Sequence, residues 1–417
     1  MSAKVSQNTH KQQMAYLVSQ YPAISHTFIL REIRILRSKN FAIRVASVNH
    51  PDRPVQMLTQ EEKQEWQHTY YVKAHGLKGA FLAHAWTLLC HPLSYFKGLL
   101  FTFSLAKWDL KKWLYGLLYF VEAVMIGHWM KSEKQTHLHV HFATPASTVG
   151  LIATHMFSFG FSMTVHGPDE FYDTPGYYLS EKIQAAQFVC CIGLFARSQL
   201  MKLSNPSCWY KFEVTPLGVD PDHFAPMPFH HAEDCLEILC VGRLVPAKGQ
   251  MILLDACRQL KDAGCAFHLS IVGDGPDRVA LENYVKQHQL SDLVSFEGAV
   301  NQERILAYYE KAHVFALASF AEGIPVVLME AMSMQIPCVT THITGIPELI
   351  QHGIDGLLVP PSDSLALSEM LQQLHKNPKQ RQDIGRNARL RIIDRYHIGK
   401  NVDRLAMVFN RHLEQGM

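Results

Sequence analysis

LEILCVGRLVPAKG, residues 236–249, opens on an apolar run that reads as a buried strand and closes on a glycine-flanked basic loop. It follows a polar, proline-bearing stretch, 221–234, that reads as a linker. From Leu236 a strand-and-helix rhythm starts afresh, with strands predicted at 236–241, 267–272, 294–296, 314–316 and 337–340. The chain before it has the same rhythm. A strand at 14–18 precedes helical spacing over 27–36 through Phe28, Ile29, Ile33 and Leu36, and strands are predicted at 41–48, 138–142, 163–166, 188–192 and 213–216. Strand, helix, strand at this spacing predicts parallel sheets wrapped by helices. The fold class is therefore α/β, two doubly wound sheets in tandem, and ligands of such sheets gather beyond the carboxyl ends of the strands, in the cleft between them.

The composition agrees with this division. At 417 residues the chain exceeds one ordinary core, and 48% hydrophobic with 18% charged residues lets it bury two. Lys and Arg number 39 against 37 Asp and Glu, a balance that argues against a nucleic-acid binder working through a broad basic surface. The nine cysteines have no metal-type spacing and Cys190 adjoins Cys191, so a reducing compartment is expected. The polar first dozen residues give no expectation of a secretory signal.

One segment breaks the rhythm. Residues 77–130 are rich in Leu, Phe, Trp and Tyr, with Lys78, Lys97, Lys107, Lys111 and Lys112 interleaved. The longest uncharged run, 79–96, contains His84, His91 and Pro92, whereas a spanning helix needs about 20 mostly apolar residues, so a span is disfavoured. Two readings fit equally: helices lying in a membrane interface, lysines near anionic headgroups and aromatics inserted, or a buried helical insertion in the first domain.

Three stretches can carry chemistry. In Glu322-Gly-Ile-Pro-Val-Val-Leu-Met-Glu330, following a strand and Ser319, Pro325 suits the first helical position and a helix continues from Val326. The free N–H groups of that helix start, with Gly323 permitting close approach, form a site for an anionic or oxygen-rich ligand. The two carboxylates would lie up to about 12 Å apart along a helix. That gap suits a sugar at Glu322 and a ribose at Glu330, since a carboxylate accepts two hydrogen bonds from a diol. Taken alone, such a pair is as often a capping or solvated one. In the second stretch, Gly242, Arg243 and Lys248 put a forked donor set and a point charge at a strand end, suited to one diphosphate. Loop cations are usually solvated, and only the position in the same half as the Glu pair tips the reading. In the third, Thr164-Val-His-Gly-Pro-Asp169, His166 ends a strand of the first lobe and Asp169 could orient it, though a strand-end His is commonly structural. His137, His139 and His141 share one strand face, but no carboxylate or Cys accompanies them at ligand spacing, so zinc is disfavoured. Val272-Gly-Asp-Gly-Pro276, with Gly273, lines a nucleoside pocket or is a plain turn, and no Gly-Lys-Ser or Gly-Lys-Thr phosphate loop is present.

Together these residues resemble the family 4 glycosyltransferases, a retaining group with the two-domain GT-B fold. The ordered set VGRLVPAKG, IVGDGP, SFEGAV, EGIPVVLMEAM, GIPELI and GIDGLLVP matches that family's second domain. HVHFATPAS, MTVHGPDEF, ARSQL and VTPLGVDPDHF match its first. The resemblance implies an acceptor-binding Rossmann-like domain over 1–220 with the helical insertion at 77–130. It implies a nucleotide-sugar-binding domain over 221–395 and a terminal helix, 396–417, returning to the first domain. It further implies donor binding by Gly242, Arg243, Lys248, Gly273, Gly298, Glu322, Gly323, Ile324, Pro325, Val326 and Glu330, with His166, Glu322, Arg243 and Lys248 catalytic. No metal or other cofactor is implied; anomeric configuration is kept by a same-face substitution, without a covalent nucleophile, by charge stabilisation of the departing diphosphate and domain closure.

This version is similar to members that build bacterial exopolysaccharides such as colanic acid. That likeness implies a nucleotide-sugar donor, a lipid-linked or saccharide acceptor, peripheral contact with the inner face of the cell membrane from the cytoplasm, and no nucleic acid. Two departures stand out: many members carry a Gly-Gly loop after the first strand where this chain reads SQYPAISHTFI, and Gln335 replaces a common Gly. The alternatives are a nucleotide-sugar epimerase or phosphorylase of the same fold, a nucleotide-sugar-binding protein without turnover, or an integral membrane protein anchored through 77–130.

Overall fold

The computed structural model of the protein describes residues 13–107, 109–229 and 235–414. The polar opening dozen, position 108 of the lysine-bearing segment, the end of the expected linker at 230–234 and the last three residues lie outside them.

The first lobe holds strands β1 (Gln13–Gln20), β2 (Ala42–Asn49), β3 (Thr69–Tyr71), β4 (His137–His141), β5 (Gly160–Val165), β6 (Phe188–Cys191) and β7 (Phe212–Val214). They form one parallel sheet in the order β3-β2-β1-β4-β5-β6-β7. The second lobe holds β8 (Leu236–Val241), β9 (Phe267–Val272), β10 (Val294–Gly298), β11 (Val314–Leu317), β12 (Cys338–Thr341) and β13 (Leu357–Val359), parallel in the order β10-β9-β8-β11-β12-β13. Two Rossmann-like sheets thus stand in tandem. The central strands are apolar on both faces because helices cover both sides: Met14 to Val18 of β1 and all of β11 are buried. In each sheet the strand order reverses beside the first strand, between β1 and β4 and between β8 and β11, and there the loops leaving the strands spread apart to make a crevice.

β4 reads His-Leu-His-Val-His and is wholly buried. A polar strand survives in a core only if its groups are bonded, and β5 supplies the partners. Ser162 Oγ meets His137 Nε2 at 2.7 Å and His139 Nδ1 at 2.8 Å, and Thr164 Oγ1 meets His139 Nε2 at 2.8 Å. Among the described residues no group of three His, Cys, Asp or Glu could hold a metal ion.

The chain crosses between lobes twice, and the two crossings are bonded to each other. Val219 N–H donates to the Tyr396 carbonyl and Ile398 N–H to the Val219 carbonyl, both at 2.9 Å. Beyond the second crossing the helix Ile398–Glu414 lies on the first lobe, with buried Phe409 edge-on to Tyr16 and near His139 and Phe188, and with Arg411 paired to Glu213 at 2.8 Å. Burying a side chain of that size is worth roughly 2–3 kcal/mol.

Between β3 and β4 stand three helices, Gly76–Cys90, Pro92–Ala106 and Leu110–Ser132. Their inner faces pack: Phe120, Val124, Ile126 and Met130 are buried, and a Cβ at Gly127 would overlap the Phe157 ring, so close approach needs a glycine. Their outer faces are apolar and open, with Leu77 91%, Leu93 87% and Leu89 82% exposed. The segment is thus packed on its inner side, as a buried helical insertion would be, and leaves a bare apolar surface on its outer side. Among the described residues no helix is long and apolar enough to cross a membrane.

Candidate functional site

A cleft of about 510 Å³ opens between the lobes where both reversal points face one another. The first lobe lines it with Ile24 to Phe28, Phe142, His166 and Ile192, and the second with Val241 to Arg243, Lys248, Val272 to Asp274, Ala299 to Asn301, Glu322 to Val327 and Glu330. A wider trough of about 850 Å³ on the second lobe shares none of these residues, and its side chains pair among themselves, Tyr308 with Glu297 at 2.9 Å and His268 with Glu237 at 3.3 Å.

Lys248 and Glu322 come from loops after neighbouring strands, β8 and β11, and meet: Nζ donates to Oε1 at 2.5 Å. Ser319 Oγ donates to the same oxygen at 2.7 Å. The Glu322 backbone is locked by Thr344, whose hydroxyl donates to its carbonyl and accepts from its N–H at 3.3 Å, while Thr341 Oγ1 donates to the Ser319 carbonyl at 2.6 Å. Glu322 is 7% exposed, so the pair forms in a desolvated corner where an attraction is weakly screened. Arg243 is exposed at the cleft rim, its carbonyl accepting from Gln250 Nε2 at 2.9 Å.

The glycines of the motifs mostly serve the fold. Gly273, at φ 146°, has its missing Cβ filled by the Gly242 carbonyl, and its N–H donates to the Gly298 carbonyl at 2.9 Å. Gly298 is not in the cleft wall and acts one step behind it. A Cβ at Gly323 would overlap the carbonyl oxygen of His166, so this glycine admits the other lobe's backbone where the sequence reading had it admit a ligand. Pro325 is also corrected: at φ −68°, ψ 122° it is the cap before the helix Val326–Ser333 rather than its first residue. No side chain caps that start, and Val326 and Val327 of its first turn line the cleft. Ile324 lines the same wall.

Glu330 lies one to two turns into that helix, 6% exposed, and Tyr309 OH donates to its Oε2 at 2.9 Å. Burial raises its pKa, opposed by Arg31 of the first lobe and by the Tyr309 bond.

His166 leaves the end of β5 with its ring against Phe142, centroids 4.3 Å apart, and Phe28, 5.1 Å. Burial, then the neighbouring His141 and His26, holds its pKa far below the usual value, so the ring is neutral. The residue that fastens it is Glu170, in place of the expected Asp169. Glu170 accepts from the N–H groups of His166 at 2.6 Å, Gly167 at 3.1 Å and Ala143 at 2.7 Å, tying the ends of β4 and β5 together. Burial pushes Glu170 up to about 7 against those three donors. The short turn Pro168–Phe171 brings Glu170 back over its own start, the geometry of an acidic residue three places into a turn. That spacing was available in the sequence as the signal for it.

The departure SQYPAISHTFI also lands here: Ser25, His26 and Thr27 line the cleft at the start of the helix Thr27–Ser38. Burial, then Arg243 and His141, lowers the His26 pKa to about 4.

Residues 227–391 match the family model described as glycosyl transferases group 1. The chain is 41% identical over 179 residues to the putative colanic acid biosynthesis glycosyltransferase WcaL of Escherichia coli (strain K12), covering 42% of this chain and 44% of that protein. It is 38% identical over 170 residues to the amylovoran biosynthesis glycosyltransferase AmsK of Erwinia amylovora, covering 39% and 42%. The match thus spans under half the length of these curated relatives. The whole fold is similar to the crystal structure of Anabaena Alr3699/HepE in complex with UDP and glucose, with a TM-score of 0.72 at 16% identity over 96% of this chain and 100% of that one. It is similar also to sucrose-phosphate synthase from Thermosynechococcus elongatus, with a TM-score of 0.75 at 18% identity over 97% and 100%. The fold is GT-B, and most of the second-domain motifs read from the sequence lie within the matched residues 227–391.

Proposed function

We propose that this chain is a glycosyltransferase of exopolysaccharide or surface-glycan synthesis, moving a sugar from a nucleotide diphosphate onto a saccharide or lipid-linked acceptor with retention and without a metal. The observation that carries it is the Lys248–Glu322 pair, set at the ends of neighbouring strands and facing His166 across the cleft. A sugar diphosphate has anionic and hydroxyl parts side by side, and the pair offers a cation and a carboxylate side by side. Lys248, Arg243 and the uncapped start of the helix Val326–Ser333 face the diphosphate, Glu322 and His166 the sugar, and Glu330 the ribose. Positive charge fixed beside the leaving diphosphate stabilises the charge that develops there as the glycosidic bond breaks. The printed names of the similar proteins, glycosyltransferases of colanic acid and amylovoran synthesis, and the UDP and glucose held by the similar structure support this reading.

The acceptor side of the reading rests on the bare helices of the first lobe. Residues 77–130 carry five lysines against Asp109 and Glu122 beside the exposed leucines, the composition of a face that lies on anionic lipid at the inner surface of a membrane.

The test is thermal stabilisation by nucleoside diphosphates. The matching base should raise the melting temperature, by the equivalent of about 2.7 kcal/mol at a hundredfold excess over Kd. Arg243→Ala is the clean probe, since exposed side chains cost within about 0.5 kcal/mol to replace, and it should blunt that response without lowering the unliganded melting temperature. No response to any base, or an unaltered one in the variant, refutes the assignment.

A further inference from the structure

Three histidines stand along β4, and the third differs from the first two. His137 and His139 are met by hydroxyls of β5. His141 instead lies between a carboxylate and another imidazole: its Nε2 is 3.3 Å from Glu32 Oε1, an ion-pair contact not aligned as a hydrogen bond, and its Nδ1 is 3.0 Å from His166 Nε2. Glu32 comes from the helix Thr27–Ser38 packed on this face, and its Oε1 also accepts from Tyr16 OH at 2.9 Å. His141 is fully buried, and Glu32 and His166 are 7% exposed. At the other end of this row, His166 Nδ1 is buried with no hydrogen-bond partner, in a residue that lines the cleft.

We propose that Glu32 and His141 are positioning residues that decide which nitrogen of His166 carries its proton. A hydrogen bond between two imidazole nitrogens holds one proton, so one ring donates and the other accepts. The Glu32 carboxylate, an acceptor only, favours the proton on His141 Nε2. That leaves His141 Nδ1 as a bare acceptor, so His166 donates to it from Nε2. His166 Nδ1 is then a buried lone pair in a residue that lines the cleft, able to accept from a hydroxyl and unable to donate. A buried acceptor without a partner costs free energy until a ligand supplies the donor, and a sugar hydroxyl is that donor. The carboxylate–histidine pair fixes a tautomer here as a second acceptor does for other functional histidines. The consequence for the reaction rests on the glycosyl-transfer reading; the tautomer does not.

The experiment is therefore two-armed. In protein labelled with 15N-histidine, the resting His166 ring is expected neutral with the proton on Nε2. Glu32→Met removes the acceptor at similar length, and His141→Phe removes the intermediate ring. Each should give His166 a mixed or Nδ1-protonated state. Turnover should fall on the order of tenfold, about 1.4 kcal/mol and the worth of one hydrogen bond, with the donor KM little changed. A wild-type ring protonated on Nδ1 overturns the proposal even if both variants fail to fold, as does a tautomer indifferent to Glu32→Met. If no sugar is transferred but the tautomer responds, the relay stands and the proposed activity falls. If transfer proceeds with an unresponsive tautomer, the relay falls and the activity stands.

Discussion

Gly323 has no side chain because the carbonyl of His166, from the other lobe, occupies the space, and Gly167 lies against it on the same seam. Closure of the cleft thus depends on two glycines meeting. We expect Gly323→Ala to push the lobes apart. Overpacking costs typically 1–3 kcal/mol, and transfer should drop at least tenfold, because the first-lobe His166 and the second-lobe Glu322 no longer share one cleft. Melting curves and steady-state rates check this, and unaltered rates would show that the seam is not needed. Legibility at this scale was uneven. Glu322, Lys248 and His166 could be picked out because they sit where apolar strands end. Glu170 was passed over for Asp169 because the choice turns on how a four-residue turn folds back, which alternation of apolar residues does not report.

Three helices of the second lobe, Gln250–Asp262, Arg278–Gln287 and Ser364–Lys376, meet at the Asp255 carboxylate. Asp255 of the helix Gln250–Asp262 accepts from Ser364 Oγ at 2.5 Å, Tyr284 OH at 2.9 Å, Arg258 Nε at 3.0 Å and Gln259 Nε2 at 3.1 Å. Burial pushes its pKa up, but these bonds outweigh that and bring it from 3.8 to about 2. A depressed folded pKa means stability that is complete above the unfolded value near 4 and lost as pH falls through about 2. The shift alone corresponds to about 2.4 kcal/mol, and solvent screening of this partly exposed carboxylate holds the contribution below that. Asp255→Asn should flatten the decline of second-lobe stability between pH 5 and pH 2, roughly the window of that shift, as followed by urea unfolding at several pH values. An unchanged acid branch would remove Asp255 as the joint. Among elements, the long central strands were legible by their apolar runs. β3 and β13 were not foreseen, being three-residue edge strands too short to set a period.

Over the molecule as a whole, bare apolar surface concentrates on one set of helices. Leu77, Phe81, Leu89, Leu93, Leu100 and Leu110 are all more than half exposed, with Lys78, Lys97, Lys107 and Lys111 exposed among them. A patch of this kind marks an interaction face. Each lysine near an anionic surface contributes about 1 kcal/mol. The protein should sediment with phosphatidylglycerol vesicles and weakly with phosphatidylcholine ones, and Leu89→Asp with Leu93→Asp should abolish both without altering the melting temperature. Binding that survives the substitutions would exclude this face, and a dimer that the same substitutions dissociate would make it a protein interface.

Sequence alone determined the α/β class, the restart of the fold at Leu236, the family resemblance and the strand-end loops that carry Arg243, Lys248, Glu322 and His166. These follow from periodicity and from short motifs, both properties of neighbouring residues. Only the tertiary structure decided that Lys248 pairs with Glu322, that the His166 ring meets His141 beside Glu32, that Glu330 is bonded to Tyr309, and that Gly323 serves the seam between lobes. Each of those contacts joins residues distant in the chain. Their geometry depends on strand register and on how closely two lobes approach, which no local pattern encodes.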